Sequence, residues 1–322
     1  MYNPEVKTAF MNDYTSSEGF RRLVLYLFRQ TQPFEEAADA DLCTMNAESL
    51  KPVISAVMTA SSDGSRVKRS VLRDYFKWCR DHGIPNAGDG ISRVDFDNSF
   101  AVKRKMVGSP LQLQRYLNEA YGPETDSGID CIYRCVFWLA YAGLPKENIP
   151  DITAADVRID LMLIEFNGRA YPIYKEGLSV IRKCAELSSL WYKGPSKGGE
   201  GKWVGRLPGN KLIRSIKGDQ GMWFVLRIFN AASASVRENS NLDLRLNYFG
   251  VWLSGFCYRM YEQEILTGSV DFVSAAREML AEKNYTFTGE KGNSVAGYKD
   301  RVRNLARQYQ KNYESWKDVF VK

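Results

Sequence analysis

The sequence predicts a mainly α-helical protein with one small antiparallel sheet, organised in two domains. Apolar residues recur at helical spacing through most of the chain, whereas residues 157–174 alternate like short strands. With 322 residues, 44% of them hydrophobic and 25% charged, the chain is long and apolar enough for two buried cores. We expect a helical N-terminal domain at residues 1–102, a basic linker at 103–110 and a second domain at 111–322.

The first hundred residues are predicted to form four short helices. The last three have start signals at Ser16 and Ser17, at Asn46 and at Ser65, since such side chains cap helix N-termini. His82-Gly83-Ile84-Pro85 ends the fourth helix, because glycine caps a C-terminus and proline cannot continue the helix. The expected helices span about 5–14, 17–31, 46–60 and 65–81, and a loop follows at 86–110.

The second domain begins with a helix capped at Ser109 and continues with a strongly apolar helix at 131–144. Two short strands are expected to meet at Asn167-Gly168, a dipeptide typical of a tight hairpin turn. The Gly- and Lys-rich segment 193–205 predicts a flexible loop or a hairpin tip, and flexible basic loops commonly order on a nucleic-acid surface. Further helices are predicted at about 176–192, 209–217, 220–235, 245–265 and 271–283, with a last one after Tyr298.

Positive charge is concentrated in separate stripes. The net charge is +6, yet residues 1–50 contain four Lys or Arg against eight Asp or Glu. Residues 66–80 contain six basic residues against one acidic, and residues 191–220 contain seven against two. Such stripes are typical of proteins that follow a phosphate backbone, because each neutralised phosphate releases counterions. They are also typical of solvated helix faces, and that interpretation stays open.

Four segments supply the candidate DNA contacts. The apolar stripe of the fourth helix turns its basic residues away from the core. Basic residues also fill the linker, and a predicted helix start at 210–214 offers amide and basic groups to a groove. Arg245 opens another predicted helix, whose N-terminus suits anions. The candidates are Arg66, Lys68, Arg69, Arg73, Lys103, Arg104, Lys105, Asn210, Lys211, Arg214 and Arg245.

Several classes of function are disfavoured. The N-terminus lacks a secretory signal and no stretch is long and apolar enough for a membrane helix, so we expect a soluble intracellular protein. The six cysteines have no metal-ligand spacing and are expected to be buried thiols, with no metal site and no cofactor. His82 is the single histidine and is expected to end a helix rather than to catalyse.

Two segments resemble the tyrosine recombinase (phage integrase) family. SRVKRSVLRDYFKWCRDHGI at 65–84 is similar to the last helix of that family's core-binding domain. CIYRCVFWLAYAGLPKENIPDITAADV at 131–157 is similar to an early catalytic-domain helix and the strand after it. The resemblance covers nearly the whole chain and implies a helical core-binding domain followed by a catalytic-like domain that bind duplex DNA.

The positions where the resemblance implies catalytic groups hold other residues. In the family, an arginine follows a Gly-Leu pair, but here Pro145 occupies that position. The family's hairpin lysine comes just before the turn, where this chain has Glu165-Phe166-Asn167, and only Arg169 follows the turn. No histidine follows position 82, so the later His-x-x-Arg pair is absent in any alignment. Its positions hold Asn247 and Gly250, or Tyr248 and Val251, while the nucleophile candidate Tyr298 competes with Tyr309 and Tyr313.

A narrower resemblance follows from MYNPEV at the start and LNYFGVWLSGFCYRMYEQE at 246–264. These runs resemble the integrase-like lytic-cycle repressors of SPbeta-type phages, the MrpR or YopR family. The resemblance implies a non-enzymatic repressor in the cytoplasm of a bacterial host, bound to duplex operator sites and able to self-associate. Two alternatives stay open: a divergent recombinase that uses Arg169, Arg245 and Tyr298, and a helical protein-interaction module.

Overall fold

The described residues form two compact units in a computed structural model of the protein. The first unit contains Met1–Val102 and Phe272–Ser315, and the second contains Lys103–Asp271 and Trp316–Lys322. The residues that the structure describes are 1–15, 17–60, 62–94, 96, 99–123, 128–192, 202–204, 209–215, 218–240, 242, 244–282 and 295–321.

The described residues are mainly helical, and the predicted fold class is confirmed. The helices are α1 Pro4–Tyr14, α2 Glu18–Ala38, α3 Ala47–Val57, α4 Ser62–Asp81, α5 Ser99–Lys105, α6 Pro110–Tyr121, α7 Gly128–Ala142, α8 Lys175–Glu186, α9 Met222–Asn239, α10 Tyr248–Thr267, α11 Phe272–Glu282 and α12 Val295–Phe320. The strands are β1 Val157–Arg158, β2 Leu163–Phe166, β3 Arg169–Pro172, β4 Leu190–Tyr192, β5 Lys202–Val204, β6 Arg214–Ser215 and β7 Gly218–Asp219. None of the described helices is long and apolar enough to cross a bilayer.

The first unit has an aromatic core between α1, α2 and α4. Phe10, Phe28 and Tyr75 are fully buried, and their ring centroids lie 5.0 to 6.0 Å apart in edge-to-face arrangements. The predicted end of α4 is confirmed: the Gly83 and Ile84 amides donate to the Arg80 and Cys79 carbonyls, with Gly83 at a φ of 65°. This glycine cap determines where α4, which carries the basic residues of segment 66–80, ends.

A buried ion pair lies beside this aromatic core. The Lys7 ammonium and the Glu35 carboxylate are fully buried and bonded to each other, and Lys7 Nζ also lies 3.5 Å from Asp41. Glu35 accepts further bonds from the Leu42 amide at 3.1 Å and the Thr31 hydroxyl at 2.9 Å. Burial raises the pKa of Glu35, although Lys7 opposes that rise.

The second unit is built around α7, which is buried along almost its whole length and packs against α8 and α10. Its apolar sequence therefore reflects a central position in the core rather than one face. The small sheet has the order β1-β2-β3 and is antiparallel throughout. The predicted hairpin is confirmed: Asn167 and Gly168 have φ of 51° and 73°, the positive values that a type I′ turn requires.

Three expectations about local structure are wrong. The predicted helix at 209–217 is absent from the described residues, where Lys211 forms a bridge with Thr153 and Arg214 begins β6. The helix predicted at 176–192 ends at Glu186, and β4 follows. The predicted loop at 86–110 contains α5, so Lys103-Arg104-Lys105 end a helix instead of forming an irregular linker. The predicted flexible loop at 193–205 lies largely outside the described residues.

Lys7→Met should strongly destabilise the first unit and make its stability depend on pH. The substitution leaves the Glu35 carboxylate buried without its counter-charge, which costs about 3–5 kcal/mol. Because the pKa of Glu35 is already raised and rises further without Lys7, the folded variant favours the protonated acid. Its stability should therefore fall as the pH increases from weakly acidic to weakly basic, measured by urea unfolding across that range.

The matched control is Lys7→Met combined with Glu35→Gln, which removes both charges and keeps an acceptor for the Leu42 amide. This double variant should be more stable than Lys7→Met at neutral pH, and its stability should lose the added pH dependence. Equal stability of both variants at every pH would contradict the role assigned to the buried Lys7–Glu35 ion pair.

Candidate nucleic-acid interface

The basic residues of α4 are not equally available to a ligand. Arg66 and Arg73 are exposed, but Lys68 is buried and donates to the Val57 carbonyl at 2.6 Å and to Gln30 Oε1 at 2.9 Å. The expectation that Lys68 lies on the exposed face of the helix is therefore wrong. It is wrong because the Val57 carbonyl, at the C-terminal end of α3, has no partner within its own helix and accepts a hydrogen bond from the Lys68 ammonium.

Arg69 and Arg73 share an aromatic partner. The Arg69 guanidinium lies 5.0 Å from the centre of the Phe96 ring, and its Nη2 donates to the Phe96 carbonyl at 2.9 Å. The Arg73 guanidinium lies 5.2 Å from the same ring. Stacking on an aromatic face fixes a guanidinium while its charge is retained. Phe96 thus holds two neighbouring cations of α4 in place.

A second basic cluster joins two candidate segments that are far apart in the sequence. The Arg245 amide donates to the Arg104 carbonyl at 2.6 Å, which places Arg245 beside the end of α5. Burial lowers the pKa of Lys105, and the nearby charges of Arg104 and Arg245 lower it further. Lys103, on the same turn, is exposed. The structure therefore brings together Arg104, Lys105 and Arg245, which the sequence offered as separate candidates.

Arg245 does not open the helix as expected. α10 begins at Tyr248, and Asn247 is its N-cap, with its side-chain oxygen accepting the Gly250 amide at 2.8 Å. Arg245 lies two positions before this cap and is exposed. It is therefore held by its backbone beside Arg104, and its side chain is open to an anion near the helix N-terminus.

The candidates at 210–214 are placed differently from expectation. The Arg214 side chain is buried and donates to the backbone carbonyls of Gly209, at 2.8 Å, and Leu187. Lys211 Nζ pairs with Asp151 at 2.6 Å, and Asn210 is exposed. Arg214 thus fixes the fold of the loop, and the expected helix N-terminus for groove contact is absent there.

The positions where the family resemblance implies catalytic groups are occupied by residues that pack or turn. A Cβ on Gly250 would lie 2.0 Å from the Lys105 carbonyl oxygen, so no side chain fits where one alignment places an arginine. Glu165 pairs with Arg158 at 3.1 Å on the exposed face of the hairpin. Tyr309 and Tyr313 are buried in α12, in agreement with a packing role, and Tyr298 is half-buried.

His82 and the cysteines form no reactive centre in the described structure. The His82 ring stacks on Trp78 at 4.1 Å, and its Nδ1 lies 2.9 Å from the Trp78 carbonyl oxygen at the end of α4. All six cysteines are buried free thiols. Among the described residues, no three His, Cys, Asp or Glu side chains are grouped so that they could hold a metal ion.

The N-terminal residues match a known family. Residues 1–81, which contain α1 to α4, match the family model described as "MrpR, N-terminal core-binding domain". Over these residues the chain is thus similar to the core-binding domain of MrpR, and the resemblance to that family predicted from the sequence is confirmed there.

Solved structures that are similar to the chain include recombinases and integrases. A lambda integrase (75–356) dimer bound to a COC' core site is 14% identical, with 82% of this chain and 91% of that chain covered and a TM-score of 0.36. XerA recombinase is 9% identical, with 87% and 97% covered and a TM-score of 0.35. The integrase from mycobacterium phage Brujita is 13% identical, with 95% and 93% covered and a TM-score of 0.33. No curated protein sequence matches the chain.

Gly250→Ala should lower the thermal stability of the second unit. The added methyl group would collide with the Lys105 backbone, and overpacking of this kind costs about 1–3 kcal/mol. The control is Gly19→Ala in α2, where no atom lies within 4 Å of the new Cβ. Because alanine favours helix over glycine, the control should match or exceed the parent melting temperature. Equal melting temperatures for both variants would contradict the close approach at Gly250.

Proposed function

We propose that the protein is a sequence-specific double-stranded DNA-binding repressor that maintains the lysogenic state of a phage without recombinase activity. The observation that carries this proposal is the match of residues 1–81 to an MrpR core-binding domain whose last helix, α4, is strongly basic. The protein would act in the cytoplasm of a bacterial host, bound to duplex operator sites, and could associate with further copies of itself there.

The arrangement of α4 supports contact with a phosphate backbone. Arg66 and Arg73 are exposed, and Phe96 holds the guanidinium groups of Arg69 and Arg73 side by side. A fixed guanidinium loses less conformational entropy when it binds, and it offers two parallel N–H donors to a phosphate. These contacts set position and affinity, whereas base contacts would be needed to set sequence preference.

The cluster of Arg104, Lys105 and Arg245 supports a second contact region, in the second unit. Burial lowers the pKa of Lys105, and repulsion by the charges of Arg104 and Arg245 lowers it further. A phosphate beside these groups would relieve that repulsion and favour the charged form of Lys105. Lys103 is exposed on the same helix and extends the positive surface.

The absence of recombinase activity is proposed from the residues at the implied catalytic positions. Transfer of a phosphoryl group to a tyrosine requires cations that neutralise the charge developing on the phosphate and an acid that protonates the leaving oxygen. Pro145 and Gly250 supply no cation at these positions, and Glu165, an acidic residue paired with Arg158, stands in place of the implied lysine acid. Arg169, the nearest basic residue of the hairpin, is a poor proton donor because it stays protonated at every working pH.

Charge reversal at Arg66 and Arg73 together should abolish high-affinity binding to the selected duplex. The site would first be obtained by selection and footprinting on fragments of a phage or host genome, and affinity would then be measured by fluorescence anisotropy over a range of salt. Each lost phosphate contact should reduce the slope of log K against log salt by about one unit. If no fragment is preferred over random duplex, the repressor proposal is wrong.

The matched control reverses Arg22 and Lys51 instead, which changes the net charge equally. Both side chains are exposed in the first unit, at 78% and 59%, and lie outside α4. This control should retain most of the affinity and the full salt slope. Equal losses in both double variants would indicate an effect of net charge alone and would contradict contact through α4.

Incubation with a nicked duplex that traps covalent intermediates should yield no protein–DNA adduct on a denaturing gel, although the same duplex is bound. The reason is the lack of the implied cations at Pro145 and Gly250 and of the implied lysine at Glu165. An adduct that forms with the parent protein and disappears in Tyr298→Phe would overturn the non-enzymatic part of the proposal in favour of a divergent recombinase.

A further inference from the structure

The first unit contains a basic cleft between α4, α11 and α12. Its volume is about 810 Å³, and five of the residues that line it are cationic: Arg66, Arg69, Arg301, Arg307 and Lys311. None of the described residues that line it is acidic. We refer to it below as the α12 cleft. Charges of one sign around a concave, partly desolvated surface attract a counter-ion more strongly than the same charges on a flat surface do.

The basic face of α12 follows from helical spacing. Arg301, Asn304, Gln308 and Lys311 are three or four positions apart, so they lie along one side of the helix, and this side lines the cleft. The opposite side carries the buried residues of α12, among them Tyr309. Because the apolar side is used for packing, the polar side between Arg301 and Lys311 lines the cleft.

Arg69 is held in position on the α4 side of the cleft. Its guanidinium stacks on Phe96 at 5.0 Å and donates to the Phe96 carbonyl at 2.9 Å. A guanidinium that is fixed before binding forms bidentate bonds to phosphate at a lower entropic cost than a mobile one. The α12 cleft therefore combines one preorganised cation with several cations on the opposite helix.

The lining is not purely charged. Met279 and Leu280 from α11 and Leu305 from α12 form an apolar part of the surface, and the side-chain amides of Asn304 and Gln308 lie beside them. A phosphate backbone alone would not cover these apolar side chains. A ligand with a flat heterocyclic part would cover the apolar side chains and exchange hydrogen bonds with the amides.

We propose that the α12 cleft binds a small ligand that carries a heteroaromatic ring and two or more phosphate groups, such as a nucleoside di- or triphosphate. The cleft volume lies within the range of about 300–1,000 Å³ that is typical of small-molecule sites. The cations bind the phosphates, and the apolar surface and amides bind the ring.

The proposed ligand would compete with DNA for part of α4, because Arg66 and Arg69 line the cleft and also belong to the proposed DNA-binding helix. A bound nucleotide would occupy these two cations and weaken the contact of α4 with DNA. This consequence rests on the proposed function, whereas nucleotide binding itself does not depend on it.

The test is isothermal titration of the full chain with ATP, ADP, AMP and inorganic pyrophosphate in the absence of DNA. We expect saturable binding of one ATP per chain, with AMP and pyrophosphate weaker because each lacks part of the recognised chemistry. Arg307→Glu and Lys311→Glu, both at exposed positions of α12, should each weaken ATP binding about tenfold or more. Lys299→Glu, an equal charge change at an exposed α12 position that is not among the lining residues, should bind ATP like the parent protein.

The outcomes separate the two proposals. Absence of ATP binding at about 1 mM would overturn the small-ligand site, as would equal weakening in Lys299→Glu. If Arg307→Glu and Lys311→Glu weaken duplex binding while ATP does not bind, the phosphates are those of DNA and the small-ligand proposal is wrong. If ATP binds as expected while no duplex is preferred, the α12 cleft stands and the repressor proposal fails.

Discussion

The second unit depends on the way α10 closes the C-terminal end of α7. The last carbonyls of a helix have no partner within it, and in a buried apolar helix an unsatisfied carbonyl is costly. Here Arg259 donates to the carbonyls of Tyr141, at 3.0 Å, and Ala142, at 2.9 Å. Trp252 Nε1 donates to the Gly143 carbonyl at 3.0 Å, and the Tyr248 hydroxyl donates to the Leu144 carbonyl at 2.8 Å. The positive charge of Arg259 at this C-terminal end also interacts favourably with the dipole of α7.

This arrangement determines which residues are possible at the start of α10. The two helices approach so closely that a Cβ on Gly255 would lie 1.7 Å from the Tyr141 carbonyl oxygen, and Gly250 is equally confined by Lys105. An arginine at Gly250 would therefore require both α5 and α10 to move. The residues after α7 are likewise held by side chains of α10. The two segments in which the family resemblance implies catalytic arginines thus serve as a rigid junction.

The sequence was informative where the signal is local. Helix caps at Ser17, Asn46 and Ser109 and the turn at Asn167-Gly168 depend on residues within a few positions of one another, and all four are found. Ser65 is an exception, because α4 begins at Ser62 and the Ser65 hydroxyl bonds to the Thr59 carbonyl instead. Local capping signals thus predicted most of these helix starts, whereas the start of α4 differs by three residues.

The candidate site was less predictable because burial of a basic side chain is decided by distant partners. Lys68 and Arg214 carry the same charge as the exposed basic residues. They are nevertheless buried, because they donate hydrogen bonds to the Val57 and Leu187 carbonyls. Conversely, Arg104 and Arg245 are 141 positions apart and meet only because the end of α5 contacts the segment before α10. Charge counts predicted which segments are basic, but not which cations are already used internally.

Some basic side chains of α4 are hydrogen-bonded inside the fold, whereas others remain at its surface. This difference determines how much positive charge α4 presents to a ligand. Lys68 is buried and donates to the Val57 carbonyl and to Gln30 Oε1, so counting it overstates the positive charge that the helix presents at its surface. Arg69 is intermediate, because one side of its guanidinium is bonded to Phe96 while the residue still lines the α12 cleft. A side chain held in this way loses flexibility without losing charge, which is the condition under which arginine binds phosphate best. The density of fixed cations near Phe96, rather than the total charge of α4, is therefore the property that would attract a phosphorylated ligand.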